Sequence, residues 1–289
     1  MTARTFGSQS MVDPLRRVLV RRPDESFGNA DPERWHYTRR PDLEGARREH
    51  DALVDILRNR SCEVLFHERR LPGHADAIFT HDPVIVTDGG AIVLRMGKEL
   101  RRGEEGAMAA TLGDLGVPTL ATLEGDATAE GGDLMWLGHE TLAVGRGYRT
   151  NAEGFRQLTA ALRPLGVETV EVQLPHAGGP TACLHLMSLI SMLDHDLAVV
   201  HKPLLAVPFV ELLAERGIEL VEVPDEEFPT MGPNVLAIAP RVCLTIEGNP
   251  VTRTRMEAAG CEVLTYQGDE ISLTAEGGAT CLTRPLLRG

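Results

Sequence analysis

The sequence predicts an α/β fold in which repeated units form one pseudo-symmetric assembly over residues 1–289. Segments rich in Val, Ile and Leu, typical of short β-strands, alternate with amphipathic helical stretches. The order strand, strand, helix, strand returns roughly every fifty to sixty residues, and such a period indicates one assembly of similar units instead of two unrelated domains. Units arranged around a centre bring one loop from each to a common mouth, so residues far apart in the sequence can meet there.

Ten segments are predicted as strands because each is rich in aliphatic residues and ends in a Gly, Pro or charged turn. They cover residues 17–23, 62–67, 91–96, 141–147, 167–173, 197–203, 221–224, 235–240, 242–248 and 261–267.

The helical stretches carry apolar residues at three- and four-residue spacing. The clearest cover residues 43–60, 150–166, 208–217 and 252–260. Several helices stop at a glycine that leads directly into a strand, as in "LGVP", "LGVETVEV", "RGIELVEVP" and "AGCEVLTY". Glycine after the last helical turn is the usual stop signal, so these dipeptides predict the helix ends.

Composition indicates an ordinary soluble globular protein, since 43% of the 289 residues are hydrophobic and 25% are charged. No apolar run approaches the roughly 20 residues that a membrane helix needs. The start, "MTARTFGSQSMVDPLRR", lacks the apolar region of a secretory signal, so a cytoplasmic protein is expected. The formal charge of -13 disfavours nucleic acid and anionic membranes as partners and would attract a cationic small molecule.

The five cysteines are scattered and odd in number, which argues against a disulfide framework and against a CxxC metal site. We expect reduced thiols at Cys62, Cys183, Cys243, Cys261 and Cys281. No pair of the ten histidines has the HExxH spacing or a similar ligand spacing, so no metal is expected.

Four polar clusters lie at strand or turn edges, and each has an ordinary structural interpretation. Asp76 and Asp82 flank an apolar stretch in "HADAIFTHDP", where Asp-Pro alone indicates a turn. Glu130 in "AEGGD" fits an acidic cap. His185 in "CLHLMS" fits a buried core histidine, and Cys281 in "GGATCLT" fits a structural thiol.

Together, the clusters fit one chemical requirement. A cysteine acts as a nucleophile when its pKa is lowered or a base stands beside it, and a histidine oriented by a carboxylate is the usual partner. Cys281, His185 and Glu130 would supply the nucleophile, the acid/base and the orienting group. Asp76 and Asp82 would hold a cation, because a planar guanidinium pairs well with acceptor-only oxygens.

The ordered motifs "FTHDP", "EGGD", "RTNAEG", "CLHLMS" and "GGATCLT" resemble the guanidine-modifying superfamily of arginine deiminases, amidinotransferases and dimethylarginine dimethylaminohydrolases. The resemblance covers nearly the whole chain, and the order of five motifs makes it specific. It implies the pentein fold, a five-fold pseudo-symmetric α/β propeller of ββαβ units, with Cys281 as the nucleophile. No step of the implied reaction needs a cofactor.

The dimethylarginine branch is the best match. Arginine deiminases are usually longer because of an inserted helical domain, and their histidine motif usually reads HLD where this chain has "HLMS". The resemblance implies hydrolysis of N-methylated arginine to citrulline and an alkylamine through an S-alkylthiouronium on Cys281. An arginine deiminase, an amidinotransferase and a pentein that only binds its ligand are the alternatives.

Position by position, the resemblance assigns Asp82 to the guanidino group and Asp76 to the α-amino group of a small cationic guanidino amino acid. Arg101 and Arg149 match arginines that position the substrate, with Arg149 at the α-carboxylate. One position departs, since dimethylarginine enzymes typically carry Glu where this chain has His81. An imidazole there weakens cation binding, so an unmethylated or differently alkylated guanidine is an alternative substrate. The only protein partner expected is a second copy of the same chain, in a homodimer.

Overall fold

The computed structural model describes residues 4–182 and 184–289, and within them fifteen β-strands form five three-stranded sheets. Every sheet has the same plan. Two of its strands pair antiparallel, and the middle strand pairs parallel with a third strand that the chain reaches through a helix. Each sheet with its helix is therefore one ββαβ unit.

The bounds of the elements follow the chain. The first unit contains β1 (Leu15–Val20), the short helices α1 (Glu25–Gly28) and α2 (Pro32–Trp35), α3 (Leu43–Asn59) and β2 (Glu63–Phe66). The second contains β3 (Val84–Thr87), β4 (Gly90–Val93), α4 (Glu104–Asp114) and β5 (Thr119–Thr122). The third contains β6 (Leu134–Trp136), β7 (Thr141–Arg146), α5 (Ala152–Leu162) and β8 (Glu168–Gln173). The fourth contains β9 (Ile190–Asp194), β10 (Leu197–Val200), α6 (Val207–Glu215) and β11 (Glu219–Glu222). The fifth contains β12 (Leu236–Ala239), β13 (Val242–Ile246), α7 (Pro250–Ala258) and β14 (Glu262–Tyr266).

The last strand, β15 (Arg284–Arg288), belongs to the first unit, because it pairs antiparallel with β1. The two ends of the chain thus complete one sheet, and β15 also contacts β3 of the second unit. This closure places the segment just before β15 next to the other units. The predicted pseudo-symmetric α/β assembly of five ββαβ units is confirmed.

The predicted elements can be compared with the observed ones. All ten predicted strands overlap observed strands, and the four predicted helices correspond to α3, α5, α6 and α7. The glycine stop signals are confirmed as well, since Gly166 and Gly260 adopt left-handed φ angles of 73° and 87° directly before a strand. Five strands and the helices α1, α2 and α4 were not among the predicted segments. These strands are β3, β5, β6, β9 and β15.

Helix α3 illustrates why the helices form and how they pack. The Asp42 carboxylate accepts a hydrogen bond from the Gly45 N–H at 3.0 Å and caps the first turn. Leu53 and Leu57, four residues apart, are fully buried in the core of the first and fifth units. Burial of each such leucine contributes about 1.5–3 kcal/mol. The same face also buries His50, an unusual residue for an apolar core.

Two further findings concern the whole described chain. None of the helices in residues 4–182 and 184–289 has the length and apolar character needed to cross a bilayer. Cys62, Cys243, Cys261 and Cys281 are present as thiols, in agreement with the expected reduced state, while Cys183 lies outside the described residues.

We predict that buried histidines make the fold sensitive to acid. Neither ring nitrogen of His50 has a hydrogen-bond partner among the described residues, and burial lowers the pKa of His50 to about 4. Burial also lowers the pKa of His67 to about 4. In the unfolded chain, the two histidines bind protons at a pKa near 6.5. The stability that comes from keeping them neutral in the fold is therefore fully present above pH 6.5 and is lost as the pH falls toward 4. A pKa that is lower by one in the folded chain corresponds to about 1.4 kcal/mol in the free energy of unfolding.

His50→Leu should therefore flatten the dependence of the melting temperature on pH, as measured by circular dichroism between pH 8 and pH 4.5. The exposed His36 provides the control, since His36→Asn should leave the profile unchanged. A profile for His50→Leu that falls as steeply as that of the unmodified chain would contradict the assignment.

Candidate active site

Six of the eight predicted site residues line one cavity of about 300 Å³. The six residues come from four of the five units, and each lies in a segment that precedes or follows a strand. The six are Asp76 and Asp82 before β3, Arg101 after β4, Arg149 after β7, His185 before β9 and Cys281 before β15. Glu130 and His81, the other two, lie behind this wall.

The predicted histidine and carboxylate are in direct contact. His185 Nε2 lies 2.7 Å from Glu130 Oε2, and both side chains are buried. Because the ionised carboxylate only accepts hydrogen bonds, Nε2 carries a proton, and the His185 side chain in turn accepts a hydrogen bond from the Ser188 backbone N–H. The pair therefore holds one tautomer and one orientation of the imidazole.

Glu130 also binds two other segments. Its Oε1 accepts the Lys98 backbone N–H at 2.9 Å, and Arg149 Nη1 donates to Oε2 at 3.1 Å. Complete burial of Glu130 disfavours its charged form, but Arg149 and the hydrogen bond from His185 outweigh this effect and hold its pKa below the usual range. Glu130 is therefore an anion at neutral pH.

The two glycines after Glu130 are required by close packing. A Cβ on Gly131 would lie 2.1 Å from the His81 carbonyl oxygen, and one on Gly132 would lie 2.5 Å from His185 Nδ1. Both distances are shorter than any carbon contact allows. The "EGGD" segment thus lets the backbone approach the imidazole ring that Glu130 orients.

Cys281 lies on the cavity wall with its sulfur held by a residue of the fifth unit. Asn234 Nδ2 donates to Cys281 Sγ at 3.2 Å, and Asn234 Oδ1 accepts the Thr280 N–H at 3.2 Å. Gly278 passes so close that a Cβ there would lie 2.5 Å from Asn234 Oδ1. A donor on the sulfur favours the thiolate, because hydrogen bonds to the charged form stabilise it.

Asp82 belongs to a buried charge cluster. Its Oδ2 accepts from Arg101 Nη1 at 2.6 Å, and its Oδ1 accepts the Gly132 N–H at 3.0 Å. Arg101 also binds Glu104 through Nε and Nη2, and its Nη2 donates to the Phe79 carbonyl. All three nitrogens of Arg101 are thus used in holding Asp82 and Glu104. Burial raises the pKa of Glu104 to about 7, and Arg101 opposes this shift.

Asp76 forms an ion pair with a residue that was not predicted. Lys98 Nζ lies 2.6 Å from Asp76 Oδ2, and the Tyr37 hydroxyl donates to Asp76 Oδ1 at 2.7 Å. The Lys98 ammonium also donates to the Trp35 carbonyl at 3.0 Å and lies 5.0 Å from the centre of the Trp35 ring. The carboxylate expected at a substrate α-amino group is therefore already paired.

His81 is not among the described residues that line the cavity, so this geometry does not support the expected substrate contact. Its Nδ1 donates to the Thr283 carbonyl at 2.9 Å, and its backbone N–H donates to the Cys281 carbonyl at 3.2 Å. Burial and the nearby Arg284 lower the pKa of His81 well below its usual value, so the ring is neutral. His81 joins the Asp82 segment to the Cys281 segment.

Sequence reasoning missed three contributors to the site, namely Lys98, Asn234 and Glu104. Lys98 could have been noticed because it is one of only two lysines among the 29 Lys and Arg residues. Asn234 precedes the first strand of the fifth unit, the position from which other units supply site residues. Glu104 carries no such signal. Within residues 4–182 and 184–289, no group of three His, Cys, Asp or Glu side chains is arranged to hold a metal ion.

Comparison with known proteins gives consistent matches. The family profile described as N,N dimethylarginine dimethylhydrolase, eukaryotic, matches residues 26–288. The N(G),N(G)-dimethylarginine dimethylaminohydrolase of Pseudomonas aeruginosa is 29% identical over 273 residues, which are 93% of this chain and 98% of that protein. The Streptomyces coelicolor protein of the same name is 32% identical over 272 residues, covering 93% and 96%.

The fold agrees with a solved structure from this group. A mutant of the Pseudomonas aeruginosa enzyme complexed with citrulline, in which serine replaces a cysteine, superposes with a TM-score of 0.77 at 25% identity. The match covers 94% of this chain and 99% of that one.

We predict that Gly132→Ala displaces the His185 ring and lowers the free energy of unfolding by about 1–3 kcal/mol, the usual cost of overpacking. The shift should weaken the 2.7 Å contact between His185 and Glu130, which is checked by urea denaturation and by the imidazole N–H resonance in NMR. Gly113→Ala is the matched control, because a Cβ at Gly113 on exposed α4 meets no atom within 4 Å. Wild-type stability and an unchanged resonance in Gly132→Ala would count against the close-packing role.

Proposed function

The chain belongs to the dimethylarginine dimethylaminohydrolase family, and from this membership we propose that it hydrolyses N-methylated arginine to citrulline and an alkylamine. The observation that carries the proposal is the shared cavity of Cys281, the His185–Glu130 pair and Asp82. A nucleophile, an oriented acid/base and an anion for the substrate cation are the groups that this reaction needs.

The substrate guanidinium lies against Asp82 in this proposal. Arg101 and Gly132 each use one acceptor position on its two oxygens, and a carboxylate offers about four such positions. Two positions therefore remain for the paired N–H groups of a guanidinium. The cation then stands near Cys281, where its charge favours the thiolate together with the Asn234 donor.

Attack by the Cys281 sulfur on the guanidinium carbon forms a tetrahedral adduct. Its collapse breaks the bond to the alkylated nitrogen, and that nitrogen takes a proton from the His185 imidazolium as the amine leaves; the imidazolium had received this proton from the Cys281 thiol when the thiolate formed. Glu130 stabilises the imidazolium needed for this transfer, because it accepts from Nε2 in both protonation states. The product of this half-reaction is an S-alkylthiouronium on Cys281.

Water completes the reaction. His185, now neutral, takes a proton from the water as the oxygen attacks the thiouronium carbon, and the carbon–sulfur bond breaks to release citrulline and the thiolate. Arg149, held by Glu130 on the cavity wall, is proposed to bind the α-carboxylate. A cytoplasmic location, where thiols stay reduced, belongs to the same proposal.

The covalent intermediate supplies the test. In His185→Gly, the methylthiolate of S-methyl-L-thiocitrulline can leave without a proton from the histidine while release of the adduct is slow, so mass spectrometry of protein quenched with this compound should show the adduct on Cys281. The turnover number should fall about 10²–10⁴-fold, the usual contribution of general acid–base catalysis. Cys281→Ser should abolish the adduct and citrulline formation.

Cys261→Ala is the matched control, because Cys261 lies in a separate core cluster formed by the fourth and fifth units and should not affect turnover. An adduct on any other cysteine, or normal turnover in His185→Gly, would overturn the assignment. Parallel assays with arginine and with an added amine acceptor distinguish the deiminase and amidinotransferase alternatives.

A further inference from the structure

The cavity contains a cation of the protein beside an acid expected to meet the substrate. Lys98 Nζ and Asp76 Oδ2 are 2.6 Å apart, and the two side chains are only 13% and 7% exposed. Lys98 is held from two more sides by the Trp35 carbonyl and the Trp35 ring. The charge of Asp76 is therefore neutralised before any ligand arrives.

The two aspartates of the cavity differ in this respect. Asp82 and Glu104 share the guanidinium of Arg101, and the buried Arg284 is also near Asp82, but Asp82 retains two acceptor positions for a ligand. Asp76 and Lys98 form a neutral pair. A substrate guanidinium at Asp82 meets these open acceptor positions, whereas a substrate ammonium at Asp76 would stand beside the Lys98 ammonium and be repelled by it.

Lys98 also lies next to the arginine on the same wall. The Lys98 backbone N–H and Arg149 Nη1 both contact Glu130 Oε1, at 2.9 Å and 3.3 Å. Gly97, the preceding residue, packs so tightly that a Cβ there would lie 2.6 Å from the Arg149 carbonyl oxygen. Two cationic side chains thus extend from adjoining backbone segments into one cavity, an arrangement that suits a carboxylate more than an ammonium group.

We propose that Lys98 is a specificity-determining residue that makes the α-amino group of the substrate dispensable. The substrate class is then the N-methylated ω-guanidino acids, which carry a guanidinium and a carboxylate, with or without an α-ammonium group. The inference rests on the proposed hydrolysis. For a compound without the α-amino group, water again replaces the alkylated nitrogen at the guanidino carbon, giving a ureido acid and methylamine.

Two matched compounds test the proposal, Nω-methyl-L-arginine and 5-(N′-methylguanidino)pentanoate, which differ only in the α-amino group. The ratio of their kcat/KM values, measured by ureido product and by methylamine, should be within about fivefold for the unmodified chain. Lys98→Met should shift the ratio at least about tenfold toward the amino acid, mainly through KM, because Asp76 then lacks its internal cation.

Lys98→Arg retains the cation and should keep the ratio near its original value. Lys202→Met removes the other lysine, which pairs with Glu222 at the surface, and should have no effect. A preference of the unmodified chain for the amino acid beyond about fivefold overturns the proposal, whether or not Lys98→Met folds. An unchanged ratio in a folded Lys98→Met variant overturns it as well.

Binding separates this inference from the proposed hydrolysis. The Cys281→Ser variant binds both compounds without turning them over. Its dissociation constants, measured by calorimetry, therefore report the effect of Lys98 on binding alone. If the unmodified chain hydrolyses neither compound, the proposed function is wrong. The role of Lys98 is then decided by the ratio of the two dissociation constants, measured with and without Lys98→Met and judged by the same fivefold and tenfold limits.

Discussion

The site depends on one buried anion, the Glu130 carboxylate. It has no exposed surface, yet it accepts hydrogen bonds from the Lys98 backbone, from Arg149 and from His185. A buried carboxylate stays ionised only if such partners offset its lost hydration. The same contacts that keep Glu130 charged therefore fix three separate segments of the cavity wall. Loss of this carboxylate would leave the Arg149 cation without its buried counter-charge and His185 without its orienting contact.

Pseudo-symmetry explains how distant residues reach one cavity. In every unit, the segment just before one edge strand contributes a residue that binds another site residue or faces the cavity. These residues are Asp82 before β3, Glu130 before β6, His185 before β9, Asn234 before β12 and Cys281 before β15. Because the units repeat, equivalent strand ends lie at equivalent places around the assembly. Cys281 can therefore lie near the end of the sequence and still line the same cavity as His185 of the fourth unit.

Hydrophobic pattern and helix stop signals were sufficient to predict the repeat, ten strands and four helices. The missed strands have physical reasons. β3, β6 and β9 follow directly on site residues, so polar groups and tight turns interrupt the apolar pattern before these short strands begin. β5 is mostly exposed and its sequence is "TLAT", while β15 contains the buried arginines Arg284 and Arg288. In these segments, site residues, solvent exposure or buried arginines interrupt the apolar pattern that would indicate a strand.

The motifs predicted which residue types meet in the cavity, but they could not predict how the charges pair. Arg101 was expected to position the substrate, and it instead uses all three guanidinium nitrogens on Asp82, Glu104 and Phe79. Such pairing depends on side-chain directions from several units at once, and a single sequence does not encode these locally.

The pairing also decides where a cation is attracted, and the overall charge of -13 does not. Lys98 balances the charge of Asp76, and Arg149 balances the charge of Glu130. In the Asp82–Arg101–Glu104 cluster, burial raises the pKa of Glu104 to about 7, Arg284 lies near Asp82, and Asp82 retains acceptor positions for a cation. His81 links the backbone next to Asp82 to the Cys281 carbonyl, so Asp82 and the Cys281 segment are held in fixed relation. In the proposed reaction, a guanidinium bound by Asp82 is therefore held next to the segment that carries the Cys281 sulfur.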